Sequence, residues 1–155
     1  MIRIAIVEDE TAYAEQLEEF LHRYEKEKKE AFEITRFSDG DGIVHNYRAK
    51  YDIILMDIQM KFMDGMSAAG EIRKADTEVI IIFITNMRQY AILGYAVDAL
   101  DYVVKPISYF AFSERLNKAL ERIRRRVRQN ILLNIKGGML RLLVDDITAS
   151  FHPVI

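Results

Sequence analysis

The chain has 155 residues, half of them hydrophobic and 30% charged, which suits one substantial core with an appendage and leaves no room for two domains of ordinary size. A formal charge of −2 excludes the strongly basic balance of a self-sufficient nucleic-acid binder, and the absence of cysteine excludes disulfides and thiolate metal sites, in keeping with a reducing compartment. The apolar run at the N-terminus is too short, and too soon followed by acids, for a signal peptide, and nothing approaches a membrane-spanning length. A cytoplasmic protein with no membrane partner is the default expectation.

In chain order, Ile2, Ile4, Ala5, Ile6 and Val7 form a first strand, stopped by Glu8, Asp9 and Glu10. Tyr13, Leu17, Phe20, Leu21 and Tyr24 then recur at helical spacing, with charged residues on the other face and a solvated end over 25–30. Phe32, Ile34 and Phe37 alternate with Glu33 and Arg36, a weaker strand for a sheet edge, and 38–42 is a turn into a short helix. Ile53, Ile54, Leu55 and Met56 read as a strand buried on both faces, with Asp57 at its end and Asp64-Gly65 closing the turn that follows. A helix over 66–74 leads to 79–84, the most apolar run and so a central strand, ending in Thr85 and Asn86. A helix over 88–95, a fifth strand over 99–104 stopped by Lys105 and Pro106, and a long last helix marked by Leu116, Leu120, Ile123 and Val127 complete the pattern. Strands and helices that alternate in this way, with continuous apolar strands, predict an α/β doubly wound five-stranded parallel sheet.

The polar residues just after the strong strands are Glu8 and Asp9, Asp57, Thr85, and Lys105. In an open α/β sheet ligands bind outside the carboxyl ends of the strands, whereas an aspartate standing alone there is better explained as the cap of the next helix. Three carboxylates at one edge would repel one another unless a cation were present, and hard divalent ions prefer oxygen ligands, magnesium best of all where few protein ligands meet a phosphate. With a lysine alongside, the set reads as phosphoryl chemistry, in which Asp57 is the nucleophile and Thr85 and Lys105 bind phosphoryl oxygens.

Glu8-Asp9, the Asp57 strand with Asp64-Gly65, Thr85, and Lys105-Pro106 resemble, in order and approximate spacing, the response-regulator receiver domain of two-component signalling. The resemblance covers about residues 1–127. It implies the sheet order 2-1-3-4-5, phosphorylation of Asp57 by a sensor histidine kinase, and Mg2+ held by Glu8, Asp9, Asp57 and the main-chain carbonyl of Gln59. It also implies phosphoryl binding by Thr85 and Lys105, a cis Lys105-Pro106 bond, and a switch in which Thr85 moves and Tyr102 turns inward, the alternative for Tyr102 being an edge aromatic with a solvated hydroxyl. A homodimer is expected through the fourth helix, fifth strand and fifth helix, or through the C-terminal segment. Two positions depart from the family: Lys61 stands where proline is common, and Asn86 where the residue is usually small. Gln59 and Met87 occupy positions that tune phosphate lifetime. By this reading the chain is a self-catalysing phosphoryl-accepting switch and not an enzyme. The rivals are a magnesium-dependent phosphatase with an aspartate nucleophile, which commonly has a second acid where Gln59 stands, and a receiver-like interaction module without phosphorylation.

Other features carry less chemistry. His22, His45 and His152 share no metal-ligand spacing, Gly40 and Gly42 make no dinucleotide fingerprint, and the methionines are core filler. Five arginines within 122–128 read as a solvated helix end, with a nucleic-acid patch as the alternative. Residues 128–155 are predicted as a linker and β-hairpin: ILLNIK and MLRLLV flank Gly137-Gly138, with Ile131, Leu133 and Ile135 on one strand's apolar face and Leu140, Leu142 and Val144 on the other's. An isolated hairpin is marginal in water. The pattern resembles the start of a LytTR-type DNA-binding domain, so the expectation is a transcriptional regulator whose output domain is truncated here and which would contact DNA only through that missing part.

Overall fold

The computed structural model describes residues 1–86, 97–99 and 101–145, with side chains through 138. Its strands β1 (Ile2–Val7), β2 (Phe32–Phe37), β3 (Ile53–Met56), β4 (Ile80–Thr85) and β5 (Asp101–Val104) form one parallel sheet in the order β2-β1-β3-β4-β5. The helices are α1 (Thr11–Lys28), α2 (Gly40–Val44), α3 (Gly65–Ala75) and α4 (Tyr109–Asp145). The expected doubly wound sheet is therefore present, with β2 at one edge and the apolar β4 between β3 and β5. The helix expected over 88–95 lies outside the described residues.

Side chains alternate across a strand, and both sets are buried here. Ala5, Val7, Ile54, Met56, Ile81 and Phe83 form one cluster with Ile43 of α2 and Ala68, Ala69 and Ile72 of α3. Ile4, Ile6, Ile53, Leu55, Ile80, Ile82 and Ile84 point to the opposite face and are also buried. α1 buries Ala14, Leu17, Leu21 and Tyr24, and the first turns of α4 bury Phe112, Leu116 and Ala119. The rings of Phe20 and Phe112 meet at 5.5 Å, and Tyr24 donates its hydroxyl proton to Asn117. Cover on both faces is why these strands are continuous apolar runs. Each fully buried isoleucine contributes about 1.5–3 kcal/mol relative to an exposed one.

Arg73 of α3 ties the segment before β5 to the rest of the fold. Its guanidinium donates to the main-chain carbonyls of Val97 (2.6 Å), Val79 (2.7 Å), Asp98 (2.9 Å) and Asp76 (3.3 Å). The Lys105-Pro106 bond after β5 is cis.

The chain divides into two units, Met1–Ala119 and Leu120–Ile155, so the division falls inside α4. The hairpin predicted around Gly137-Gly138 is not formed, because 131–145 continue α4. Extending an existing helix adds a hydrogen bond per residue without a new nucleus, while a hairpin with nothing to cover its apolar face is marginal. Leucine, arginine, lysine and methionine favour the helix, and the two glycines oppose it by about 1 kcal/mol each. Ile131, Leu132, Leu133 and Ile135 are more than half exposed on it. No helix among the described residues is long and apolar enough to cross a membrane.

Gly65 links the fold to the end of β3. Its N–H donates to the Ile58 carbonyl at 2.7 Å, and a Cβ there would lie 2.2 Å from the Asp57 carbonyl oxygen and 2.9 Å from Ile58 Cα. Gly65→Ala is expected to destabilise the protein by about 1–3 kcal/mol, as overpacking against main chain does. Gly70→Ala in the same helix meets nothing within 4 Å and should raise stability by up to about 1 kcal/mol through helix propensity. Urea midpoints of the two variants, which should move in opposite directions, are the check.

Candidate functional site

The register of the sheet aligns the ends of its central strands. Val7 pairs with Phe37 and Met56, Met56 with Phe83, and Thr85 with Val104. The residues that follow are held to the same ladder: Glu8 N–H donates to Phe37 O (3.0 Å), Asp57 N–H to Val7 O (3.0 Å) and Lys105 N–H to Thr85 O (2.9 Å). Glu8, Asp57, Thr85 and Lys105 therefore arrive at one end of the sheet, and all four are buried. This is the crevice beyond the strands' carboxyl ends at the β1/β3 boundary, where the strand order reverses.

The Lys105 side chain crosses the crevice. Its ammonium donates to Glu8 Oε1 at 2.6 Å and to Asp57 Oδ2 at 3.1 Å, with the three side chains 5%, 2% and 6% exposed. Two carboxylates around one ammonium leave a buried net charge of −1, which burial opposes. Accordingly burial raises the Glu8 carboxyl to about 8, against the lowering effect of its hydrogen bond from Lys105 and with further raising by the Asp57 charge. Burial pulls the Lys105 ammonium down, but the Glu8 hydrogen bond and the charges of Asp57 and Glu8 outweigh it and hold it above its ordinary value. Burial and then the Asp57 charge raise Asp9 as well.

Above these groups lies an open cleft of about 400 Å³, lined by Asp9, Glu10, Asp57, Gln59, Met60, Lys61, Asn86 and Lys105. Glu8, Asp9 and Glu10 each offer a carboxylate oxygen within 4.8 Å of the others. An all-oxygen donor set of net negative charge beside an open cleft fits a hard divalent cation. Glu10, which the sequence shows only as a strand-stopping acid, thus belongs to the acidic group, and Asp57 joins Glu8 through Lys105. The Gln59 N–H lies 3.3 Å from Asp57 Oδ1, and the Gln59 side chain is exposed at the rim. Lys61 and Asn86, the two departures from the family pattern, both face the cleft. Thr85 is fully buried at the end of β4, and Tyr102, which pairs with Phe83, is half-buried on the sheet face that Thr85 also uses. Met87 lies outside the described residues.

Sequence reading missed Asp39. Residues 38–42 read as a turn, yet the buried Asp39 carboxylate accepts from the N–H groups of Phe62 (2.9 Å) and Met63 (2.8 Å), and from Asp41 at 3.3 Å. Burial pushes its carboxyl up, but these main-chain donors prevail and hold it below the usual value. Asp39 thereby fixes the loop that follows Asp57, and Gly40 helps, because a Cβ there would meet the Met63 carbonyl oxygen at 2.6 Å. The available signal was an aspartate directly before a short glycine-rich helix, the position of an N-cap.

Comparison with known proteins bears on the family and the fold. The family model of the response regulator receiver domain matches residues 4–126. The sensory transduction protein LytT of Bacillus anthracis is 29% identical over 158 residues, 99% of this chain and 58% of the relative. The transcriptional regulatory protein BtsR of Escherichia coli (strain K12) is 33% identical over 134 residues, 86% of this chain and 53% of the relative. The chain thus spans a little over half the length of these curated relatives. Among solved structures, the response regulator TrrA of Thermotoga maritima in complex with Mg(2+)-BeF is 30% identical with a TM-score of 0.62, over 77% of this chain and 99% of that one. The response regulatory domain of mrkE from Klebsiella pneumoniae is 27% identical with a TM-score of 0.68, over 77% and 96%.

The raised Glu8 carboxyl makes stability depend on pH. A group whose folded pKa exceeds its unfolded value of 4.5 contributes fully below 4.5, and that contribution is lost as pH rises through the folded value of about 8. Asp9 acts in the same direction, while the lowered Asp39 contributes above 3.8 and loses its effect only at more acidic pH. With a chelator present, the urea midpoint should therefore fall between pH 5.5 and 8.5, and Glu8→Gln should flatten that fall. An equally steep fall in the variant would place its origin elsewhere.

Proposed function

The chain belongs to the response regulator receiver family, and on that premise we propose that it is a phosphorylation switch in which Asp57 accepts a phosphoryl group from a sensor histidine kinase. The observation that carries this reading is the Lys105 ammonium, buried between Asp57 and Glu8 at the strand ends. An Asp57 carboxylate oxygen attacks the donor phosphorus. The bond from phosphorus to the donor nitrogen breaks with its electron pair left on the nitrogen, which takes up a proton, and an aspartyl phosphate remains. Lys105 would pair with a phosphoryl oxygen, and Thr85, once moved from its buried position, would donate its hydroxyl to another. Glu8, Asp9, Asp57 and the main-chain carbonyl of Gln59 are the groups that would hold Mg2+. When bound, that ion neutralises charge developing on the phosphoryl oxygens. The Mg(2+)-BeF complex of the similar TrrA supports this assignment.

The switch follows from the same face of the sheet. Thr85 moves toward the phosphoryl group and Tyr102 turns inward to occupy the space it leaves. The surface altered would include β5 and the start of α4, where Asp101 pairs with Arg115 at 3.1 Å and with Lys118 at 3.5 Å. These pairs are partly exposed, and their exchange for contacts with a second copy, giving a homodimer through this surface, is part of the proposal. In the whole protein the receiver controls transcription through a LytTR-type DNA-binding domain. The relatives' names support that reading, as does the length they have beyond this chain.

Intact mass after incubation with acetyl phosphate tests the chemistry. A single phosphoryl adduct is expected with Mg2+ and not with chelator, because the added charge of about −1.5 to −2 cannot be held by an acidic cleft without compensation. Asp57→Asn should abolish it, and an adduct formed at a comparable rate by that variant would refute the assignment. For the switch, a structure with a phosphate mimic is expected to show Thr85 and Tyr102 displaced together. If both keep their present positions, this part of the proposal is wrong.

A further inference from the structure

Lys105 has a third neighbour that neither the strand-end pattern nor the acidic cluster accounts for. An ammonium has three N–H donors, and among the described residues its hydrogen bonds go to two acceptors, Glu8 and Asp57. On the remaining side the Tyr13 ring lies with its centroid 3.8 Å from Nζ. Tyr13 sits in the first turn of α1, half-buried, one residue before Ala14, which packs into the core. In the sequence it is simply the first member of α1's apolar spacing. In the structure its ring closes the Lys105 ammonium away from solvent.

We propose that Tyr13 is a positioning residue for phosphoryl transfer, holding the Lys105 ammonium at the crevice by a cation–π contact. A cation within about 6 Å of a tyrosine centroid is attracted by the ring quadrupole, most strongly where water is excluded, as it is around this 5% exposed side chain. One of the other two contacts changes during the reaction, because Asp57 loses its free carboxylate when it becomes an aspartyl phosphate. The ring does not change. It also imposes little direction on the N–H bonds, so the ammonium can pivot from the Asp57 oxygen toward a phosphoryl oxygen without losing this partner. A leucine at position 13 would fill much of the same space without attracting the charge.

The inference rests on the phosphoacceptor reading of Asp57, and its test separates the two. The rate of phosphoryl uptake from acetyl phosphate is measured by intact mass for the wild type, Tyr13→Phe, Tyr13→Leu, and a series with mono-, di- and trifluorinated phenylalanine at position 13. Urea midpoints verify folding. Tyr13→Phe should stay within about threefold of the wild type, Tyr13→Leu should be roughly tenfold slower, equivalent to about 1.4 kcal/mol, and fluorination should slow uptake in graded steps while leaving shape almost unchanged. Independently of phosphorylation, the Lys105 ammonium NMR signal of the chelator-treated protein should be shifted upfield by the ring in the wild type and Tyr13→Phe, and not in Tyr13→Leu. Equal uptake by the Leu and Phe variants, or rates indifferent to fluorination, overturns the proposal. A wild-type chain that takes up no phosphoryl group overturns the phosphoacceptor reading and the role given to Tyr13 with it, while the ammonium signal still decides whether the ring holds the cation.

Discussion

The Lys105 ammonium, 2.6 Å from Glu8 and 3.1 Å from Asp57, is almost wholly buried together with both partners at the floor of the cleft. Removing such charges from water costs several kcal/mol per ion, and mutual attraction offsets this only with good geometry and further hydrogen bonds. A flexible scaffold would relax by letting water in. The sheet limits that, because β1 and β3 are buried on both faces where they reach the cluster and the residues after β1, β3 and β5 remain on the main-chain ladder. The core is thus the condition for the charge cluster, and the cluster is weak evidence for stability in its own right. Its raised Glu8 carboxyl records the strain of keeping two acids and one base together in a dry place.

Holding Asp57 from the strand side leaves the other side to the loop that follows it. That loop would be free to swing were it not fixed from two directions. Asp39 accepts the N–H groups of Phe62 and Met63, and Gly65 brings the start of α3 against the Asp57 carbonyl, closer than any side chain permits. Lys61, in the position where the family often has proline, therefore sits in a loop restrained by its neighbours' hydrogen bonds instead of by its own ring. The restraint that a proline ring would give is supplied by Asp39, on a different element.

Most of the site was legible because it obeys a rule that sequence displays directly: an apolar run ends, and the next residue is polar. Glu8, Asp57, Thr85 and Lys105 could be found that way, and parallel pairing then had to bring them to one end. What escaped depends on distance across the fold. Asp39 looks like part of a turn, Arg73 like an ordinary helix residue, and Tyr13 like one more apolar position at helical spacing, and each has its role through a partner more than twenty residues away. The segment over 131–145 failed for another reason. Alternation of apolar residues around two glycines satisfies a hairpin, but the same residues are good helix formers joined to a helix already nucleated, and a local pattern does not contain the competition between the two.

A switch needs its two states to differ in free energy by something the signal supplies, and moving an equilibrium from 1:99 to 99:1 takes about 5.5 kcal/mol of differential interaction. In the proposed switch the supply would be electrostatic. In the unmodified chain one ammonium lies between two carboxyl groups in a buried space. A phosphoryl group on Asp57 would add negative charge on the side of the 400 Å³ cleft, and Lys105 would be drawn after it. Thr85 is the buried polar residue nearest that path in the strand order, and β5 lies directly beyond it. Arg73 fixes the segment entering β5 through the carbonyls of Val97 and Asp98. In the proposed switch, a displacement begun at Thr85 would meet a strand anchored at its entrance by these bonds.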